Sequence, residues 1–532
     1  MGGLLGTERG GPGHPRAAPV GLPDAGRDGA GRMRGGRARA RGVRSWLVVG
    51  SAPPRRGSGG EPAEADEDET SSLLGDDEQR RRRARGLARA VLARLSHPVQ
   101  LTALASVATV TAVAGLLLLP AATAPGLRTT FREALFTATG AATGGLLLVD
   151  METHWTTFGE VVVMTTAQLG GLGFMTSASL LGMMMSRRLG LRLRLLAANE
   201  TASVGLGDAK RVVLRVAAVT FTIEAIVAVV LFGALWLDYE MSPGRAAYYG
   251  VFHSITAFNN AGFALYSDNL MSFDHDPLVI LPIAAASILG GIGFPVLFEL
   301  RRELRSPALW SMHTKVTLLG YAILLVGGAA AVTAFEWRNP ATLGPLSAAD
   351  KLLGGFFGGV TARTAGFNTF DYGLADPATR LVTNVLMFVG GGSASTTGGI
   401  KVTTFMVLFF AILAEARGDD TVDAFGRQVS PAALRQALAV ALLGVAIVVA
   451  GTLCLLATTE FTLDQVLFEV TSAFGTVGLT TGITAQLPAF AQYVLIVLML
   501  VGRIGPITLA SALALRERRR LYRLPEERPI VG

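Results

Sequence analysis

Charge is scarce in this sequence. Only 16% of its 532 residues are Asp, Glu, Lys or Arg, against about a quarter in an ordinary soluble protein. Cysteine is nearly absent: Cys454 stands alone inside an apolar run, which excludes a disulfide framework and thiolate metal sites. The six histidines are scattered without ligand spacing, so no zinc site is predicted. No nucleophile with its base, metal cluster or carboxylate pair is placed for catalysis, and the chain is not read as an enzyme. What is plentiful is apolar surface and glycine, at 50% hydrophobic residues and 64 glycines.

The apolar residues come in runs too long for a globular core. Pro98 to Pro120, Val212 to Leu237, Pro277 to Leu297, Val316 to Ala334 and Ala437 to Ala457 carry few or no charges. Runs of about 18 or more such residues cross a bilayer as helices. The net charge of +7 and pI near 9.8 do not point to nucleic acid, because no soluble fold is there to present a basic patch. The basic residues instead gather beside alternate spans: Arg187, Arg188, Arg192 and Arg194, then Arg301, Arg302 and Arg305, then Arg518, Arg519 and Arg520. The intervening loops carry Asp238, Glu240, Glu336 and Asp350. This is the positive-inside asymmetry, and it predicts cytoplasmic basic loops and cytoplasmic termini.

Residues 1–86 are of another composition, rich in Gly, Pro and Arg, with acidic Glu61 to Glu69 and basic Arg80 to Arg83. Such a segment has too little to bury and is predicted to be disordered. It has no signal-peptide core, Trp46 to Val49 being too short, and Met33 offers an alternative initiator. Beyond it, internal similarity dominates. Four segments, 87–204, 205–306, 307–424 and 425–516, share one plan: a long apolar helix, a short amphipathic stretch ending in a Gly motif, and a second apolar helix. A basic cytoplasmic tail, 517–532, follows. The short stretches start at Phe136, Phe252, Phe356 and Phe468. Their Gly motifs are Thr143-Gly-Gly-Leu146, Asn260-Ala-Gly-Phe263, Thr364-Ala-Gly-Phe367 and Thr476-Val-Gly-Leu479. A further glycine cluster lies within each second helix: Leu169-Gly-Gly-Leu-Gly-Phe174, Leu289-Gly-Gly-Ile-Gly-Phe294, Val389-Gly-Gly-Gly-Ser393 and Val501-Gly-Arg-Ile-Gly505.

The short stretches, about ten residues each, are too short to cross as helices and fit segments that enter and return on one side. Irregular backbone at membrane depth persists only where protein or a water-filled cavity surrounds it. The fold class is therefore an all-α integral membrane protein with four pseudo-repeats of helix, pore loop and helix around a central pore. A cation entering a narrow pore sheds water, and rings of backbone carbonyls replace the lost oxygens. Aiming successive carbonyls inward requires backbone angles that glycine reaches freely, and the C-terminal end of each short helix adds negative potential. The candidate filter is Thr143, Gly144, Gly145; Asn260, Ala261, Gly262; Thr364, Ala365, Gly366; and Thr476, Val477, Gly478. Thr143, Asn259, Asn260, Thr364 and Thr476 are placed to brace these loops or to face the ion. Gly170, Gly171, Gly290 and Gly291 are instead read as packing positions.

The third repeat interrupts its second helix with Gly390-Gly391-Gly392-Ser393-Ala-Ser395-Thr396-Thr397-Gly398-Gly399. Each glycine costs about 1 kcal/mol in a helix relative to Ala, so this run is read as a mobile intramembrane gate. Arg503, in the corresponding part of repeat four, is an ionisable group among apolar residues and functional by default. It is placed to pair with gate-loop carbonyls and to oppose cation leak; Lys401, just after the run, either adds to this barrier or marks the cytoplasmic side. Glu224 is read as pairing between helices.

At these residues the sequence resembles the superfamily of Trk, Ktr and plant HKT potassium transporters, over about Ser96 to Arg516. The most specific pieces are Asn259-Asn-Ala-Gly-Phe263, Thr361-Ala-Arg-Thr-Ala-Gly-Phe-Asn368, Ser395-Thr-Thr-Gly-Gly-Ile-Lys401 and Ser472-Ala-Phe-Gly-Thr-Val-Gly-Leu479. The likeness is greatest to the bacterial KtrB-type membrane subunits. It implies potassium uptake across the plasma membrane, filter glycines at Gly145, Gly262, Gly366 and Gly478, a gate from Gly390 to Gly399, and a blocking arginine at Arg503. It also implies a homodimer, a KtrA-like cytoplasmic ring of nucleotide-binding regulatory subunits, and sodium dependence. No cofactor is implied, K+ being the cargo and Na+ a candidate coupling ion. Two departures stand out. The first filter reads Thr143-Gly144-Gly145-Leu146 where the family has Val-Thr-Gly-Leu, after a segment one residue shorter. The gate has Gly392-Ser393-Ala394 where many relatives have Ser-Pro-Gly. The rival reading, an alternating-access secondary transporter of another cation, predicts two inverted halves, whereas these repeats all run the same way.

Overall fold

The computed structural model describes residues 98–187 and 206–505. The tail at 1–86, the basic positions Arg188, Arg192, Arg194 and Arg518 to Arg520, and the segment 517–532 lie outside the described residues. Apart from a two-residue strand pair, Asp423–Ala424 with Arg427–Gln428, the described secondary structure is helical.

The helices follow the order read from the sequence. In the first segment they are α1 (Pro98–Leu117), α2 (Phe131–Thr143) and α3 (Thr157–Arg187). The second has α4 (Leu206–Leu237), α5 (Pro243–Phe258), α6 (Pro277–Ile292) and α7 (Phe294–Glu303). The third has α8 (Met312–Glu336), α9 (Ala348–Thr361), α10 (Pro377–Phe388) and α11 (Val402–Arg417). The fourth has α12 (Pro431–Leu456), α13 (Leu463–Gly475) and α14 (Ala489–Ile504).

Local chemistry sets where the short helices begin. Thr130 and Glu133 form a capping box at the start of α2, as Thr462 and Gln465 do for α13, and Ser347 caps α9 on Asp350 N–H. Each device satisfies backbone donors that an open helix end would leave unpaired.

Among the described residues, α4 from Arg211, α8 and α12 are each long and apolar enough to cross a membrane. Their outward faces carry Val229, Val326 and Leu442 at 62–68% exposure, which suits a hydrocarbon solvent and not water. The short helices are buried instead: Phe136, Phe252 and Phe468 are fully enclosed, and in α9 it is Phe357 that is enclosed.

The expected straight span from Pro277 to Leu297 is broken. Helix α6 stops at Ile292, and α7 leaves at 100° to it. The hinge is Gly293 at φ 101, a conformation open to glycine and costly for other residues. Pro295 then sits in the first turn of α7, where a missing N–H is tolerated. Helix α14 likewise ends against Gly505 at φ 89, while α3 runs unbroken through Gly170, Gly171 and Gly173.

The cluster glycines do pack against the ends of short helices. A methyl at Gly170 would strike the main chain of Ala142, one at Gly290 the carbonyl of Phe258, and one at Gly502 that of Phe474. Close backbone approach of this kind is what small residues permit between membrane helices.

Candidate functional site

The four loops that leave the short helices meet one another in cyclic order. A Cβ at Gly262 would lie 2.6 Å from Gly366 Cα and 2.7 Å from Ala365 O. One at Gly366 would overlap Val477 O, one at Gly478 would lie 3.2 Å from Gly145 O, and one at Gly144 would overlap Asn260 O. Loop one thus touches loop two, two touches three, three touches four, and four returns to one, with a neighbour's carbonyl beside each glycine.

Loops two, three and four share a backbone. Each has positive φ two residues ahead of its glycine and again at it: Asn260 52 and Gly262 70, Thr364 76 and Gly366 77, Thr476 51 and Gly478 100. Non-glycine residues seldom adopt these angles, and their clustering here marks strained functional backbone.

The first loop differs in its backbone. Its one left-handed residue is Gly144, at φ 73. Gly145 N–H bonds Gly140 O as Ala261 N–H bonds Thr256 O and Val477 N–H bonds Ser472 O. By this bond Gly145 stands where Ala261 and Val477 stand, whereas in the third loop Gly366 itself bonds Thr361 O. The physical reason is length: one residue fewer separates Phe136 from Gly145 than Phe252 from Gly262 or Phe468 from Gly478.

A cavity of about 490 Å³ opens onto this ring, lined by Gly145, Gly262 and Gly478 and rimmed by Asp150, Asp268 and Asp371. Carboxylates at the mouth of a low-dielectric cleft concentrate cations there. The larger cavity of about 1250 Å³ between α4 and α7 shares no lining residue with it.

The predicted threonines divide. Thr143 Oγ1 is spent on Thr139 O at 2.7 Å, so it turns back into α2. The hydroxyls of Thr364 and Thr476 are buried and make no hydrogen bond within the protein. Asn259 faces away from the ring: its Nδ2 donates to Gln168 Oε1 at 2.7 Å and to Glu224 Oε1 at 3.0 Å. Gln168 completes the triad by donating to Glu224 Oε2 at 3.2 Å, so Glu224 does join α4 to α3 and α5.

The run from Gly390 to Gly399 is irregular backbone packed directly on these loops. Val389 and Ile400 form a bridge at its neck, with Gly390 N–H bonded to Ile400 O at 2.8 Å. Inside it, Ser395 Oγ donates to Gly392 O at 2.7 Å and lies 2.6 Å from Thr397 Oγ1. Gly391 N–H donates to the same Thr397 oxygen at 3.0 Å, and Ser393 Oγ pairs with Thr403. Outward contacts bind the run to the other repeats. Gly392 N–H donates to Gly291 O at 2.8 Å and Thr396 N–H to Gly290 O at 3.2 Å. Asn260 Nδ2 donates to Thr396 Oγ1 at 2.6 Å, and a methyl at Gly398 would lie 2.8 Å from Gly475 O. Gly399 closes the run at φ 64.

Both predicted cations reach this run. Arg503, buried in α14, donates from Nη1 to Thr396 O, and Lys401 Nζ donates to Thr397 O at 2.6 Å. Ala394 holds φ 56. An L-residue in this region costs about 1–2 kcal/mol, so Ala394→Gly is expected to raise the thermal unfolding midpoint in detergent. A lowered midpoint would show that the methyl packs usefully.

Two residues escaped the sequence reading. Glu469, fully buried on α13, accepts from Thr480 Oγ1 at 2.7 Å, Thr481 N–H at 2.8 Å and Thr484 Oγ1 at 2.7 Å. It staples the segment that follows Gly478 to the helix that precedes it. A glutamate among Val466, Phe468 and Val470, ahead of a threonine-rich stretch, was the available signal. The other is Arg363, inside a motif already noted but given no task.

Similarity to known proteins agrees with this arrangement. The Ktr system potassium uptake protein B of Bacillus subtilis is 41% identical over 438 residues, 82% of this chain and 97% of that protein. The protein of the same description from Vibrio alginolyticus is 40% identical over 423 residues, 78% of this chain and 91% of its own. The crystal structure of the potassium transporter TrkH from Vibrio parahaemolyticus superposes with a TM-score of 0.58 at 19% identity, over 76% of this chain and 83% of that one, and so shares the fold. Residues 94–519 match the family described as TrkH, cation transport protein. The chain belongs to the TrkH family of cation transport proteins.

Proposed function

We propose that this chain takes up potassium across the plasma membrane as the pore-forming subunit of a Ktr-type system. The observation that carries the reading is the closed cycle of four loops, each with a glycine beside its neighbour's carbonyl. Four such loops around one axis supply the oxygens a dehydrated K+ needs without the trapping that a carboxylate ring would impose. The acidic cavity is the outer vestibule, and the positive-inside distribution puts Arg301 and Arg302 on the cytoplasmic side with the termini.

The run Gly390 to Gly399 is the gate beneath the filter. Its contacts with Asn260 and Gly475 support this reading. Arg503 holds it shut through Thr396 and adds a positive barrier. The high identity to subunits of named Ktr systems supports further features: assembly as a homodimer, and control of the gate by a cytoplasmic ring of nucleotide-binding subunits. Dependence of transport on sodium is proposed with them.

The test is complementation. In a bacterium stripped of its potassium importers, expression of this chain is expected to restore growth at low external potassium. Adding Na+ should raise uptake further where a Ktr regulatory partner is co-expressed. Absence of rescue despite correct membrane insertion, with and without such a partner, would contradict the reading.

A further inference from the structure

Arg363 is among the most deeply buried side chains in the protein, at 1% exposure. It lies just past the end of α9, one residue ahead of Thr364-Ala365-Gly366 in the third loop. Its guanidinium stacks on the Tyr321 ring at 3.5 Å from the centroid. Nη1 donates to Tyr321 O on α8 at 3.0 Å, and Nη2 donates to Gly390 O at 3.3 Å.

Each contact has a physical motive. The carbonyl end of α9 carries partial negative charge, which favours a cation. The aromatic face below adds a cation–π attraction that strengthens on desolvation. Burying a guanidinium at this depth is nevertheless expensive, and such residues are kept for function by default. Plain packing between α8 and α9 needs no charge, since Gly328 and Gly359 already bring those helices together: a Cβ at Gly359 would lie 2.8 Å from Ala329 Cα.

The second amino group gives the clue. Gly390 is the first residue of the gate, at the neck where its N–H bonds Ile400 O. If the gate swings from the axis, this neck moves and the bond from Arg363 breaks. The arginine is continuous in chain with the third filter loop, so the same bond joins the filter to the hinge. Arg503 and Lys401 hold the far end of the gate, at Thr396 and Thr397, and Arg363 holds its near end.

We propose that Arg363 is a positioning residue that latches the hinge of the gate to the third filter loop. The inference rests on the pore reading above and adds a mechanical link between its two parts. Opening requires release of Gly390 from Arg363, and release loosens the loop that bears Gly366.

The experiment is a double-mutant cycle in proteoliposomes, reading rubidium flux and its competition by Na+. Arg363→Gln in the full chain is expected to raise flux about tenfold, the shift that ~1.4 kcal/mol produces, and to weaken discrimination against Na+. Arg363→Lys, which keeps the charge and reaches one carbonyl, should fall between. With residues 390–399 removed, Arg363→Gln should raise flux no further, because its target is gone. Arg503→Ala supplies a second opened background if the deletion fails to assemble, and there a residual gain smaller than in the full chain is expected. Equal loss of flux in closed and opened backgrounds, with unchanged elution on size exclusion, would make Arg363 a packing residue and overturn the latch. No change from Arg363→Gln in any background would overturn it too. Failure of the native chain and of every opened variant to pass Rb+ at all would instead defeat the pore reading on which the latch stands.

Discussion

Replacing Gly366 by Ser is expected to reduce the preference for K+ over Na+ by at least about tenfold, equivalent to roughly 1.4 kcal/mol of differential binding. Two effects act together. Gly366 sits at φ 77, where a side chain strains the main chain. A Cβ there would also run into Val477 O, with Gly262 Cα at 3.0 Å. Neither obstacle is a flexible side chain, so the loops themselves must shift and the ring of oxygens loses its spacing. The same substitution at Gly145 is expected to be milder. Gly145 is not left-handed, and its neighbour is the Met499 side chain, with Cγ at 3.0 Å, which can turn aside. Competition of Na+ against rubidium uptake measures both. Equal losses at 145 and 366 would contradict the stated difference between the first and third loops, and no loss at 366 would contradict the filter.

The second large effect concerns Arg503. Its bond to Thr396 O crosses between α14 and the gate. Hydrogen bonds from a charged donor contribute about 1.5–3 kcal/mol, so Arg503→Ala should shift the gate toward open and raise flux by roughly tenfold or more. Deleting residues 390–399 should raise it in the same direction. The check is initial uptake in cells lacking other potassium importers, normalised to protein in the membrane. Reduced flux from folded Arg503→Ala protein would mean that the arginine supports conduction and does not block it.

Much of this site was legible because its signals are local and repeated. Four Gly motifs after four short amphipathic stretches imply a ring without any long-range information, and the loops do meet. Arg503 stood out as a charge in apolar surroundings near a run that cannot be helical. Glu224 was found the same way.

The misses have a different physical origin. The clusters Leu169-Gly-Gly-Leu-Gly-Phe174 and Leu289-Gly-Gly-Ile-Gly-Phe294 are nearly alike, yet α3 passes through the first and the chain turns by 100° at the second. The difference lies one residue further on, where Met175 follows the first and Pro295 the second. Proline suits the opening turn of a new helix and not the interior of a continuing one. Arg363 was visible but mute, since its partners Tyr321 and Gly390 lie 42 and 27 residues away and no periodicity links them. Glu469 was hidden by its helix, where one glutamate on an apolar face reads as noise until the returning segment supplies its donors.

The most direct measurement is the position of the ion itself. Crystals grown with rubidium or thallium in place of potassium would show it by anomalous scattering. Density on the axis enclosed by Gly262, Gly366, Gly478 and the Gly144–Gly145 turn, above the Gly390 to Gly399 loop, is the predicted result. Ions bound elsewhere in the membrane region, with that axis filled by side chains, would contradict it.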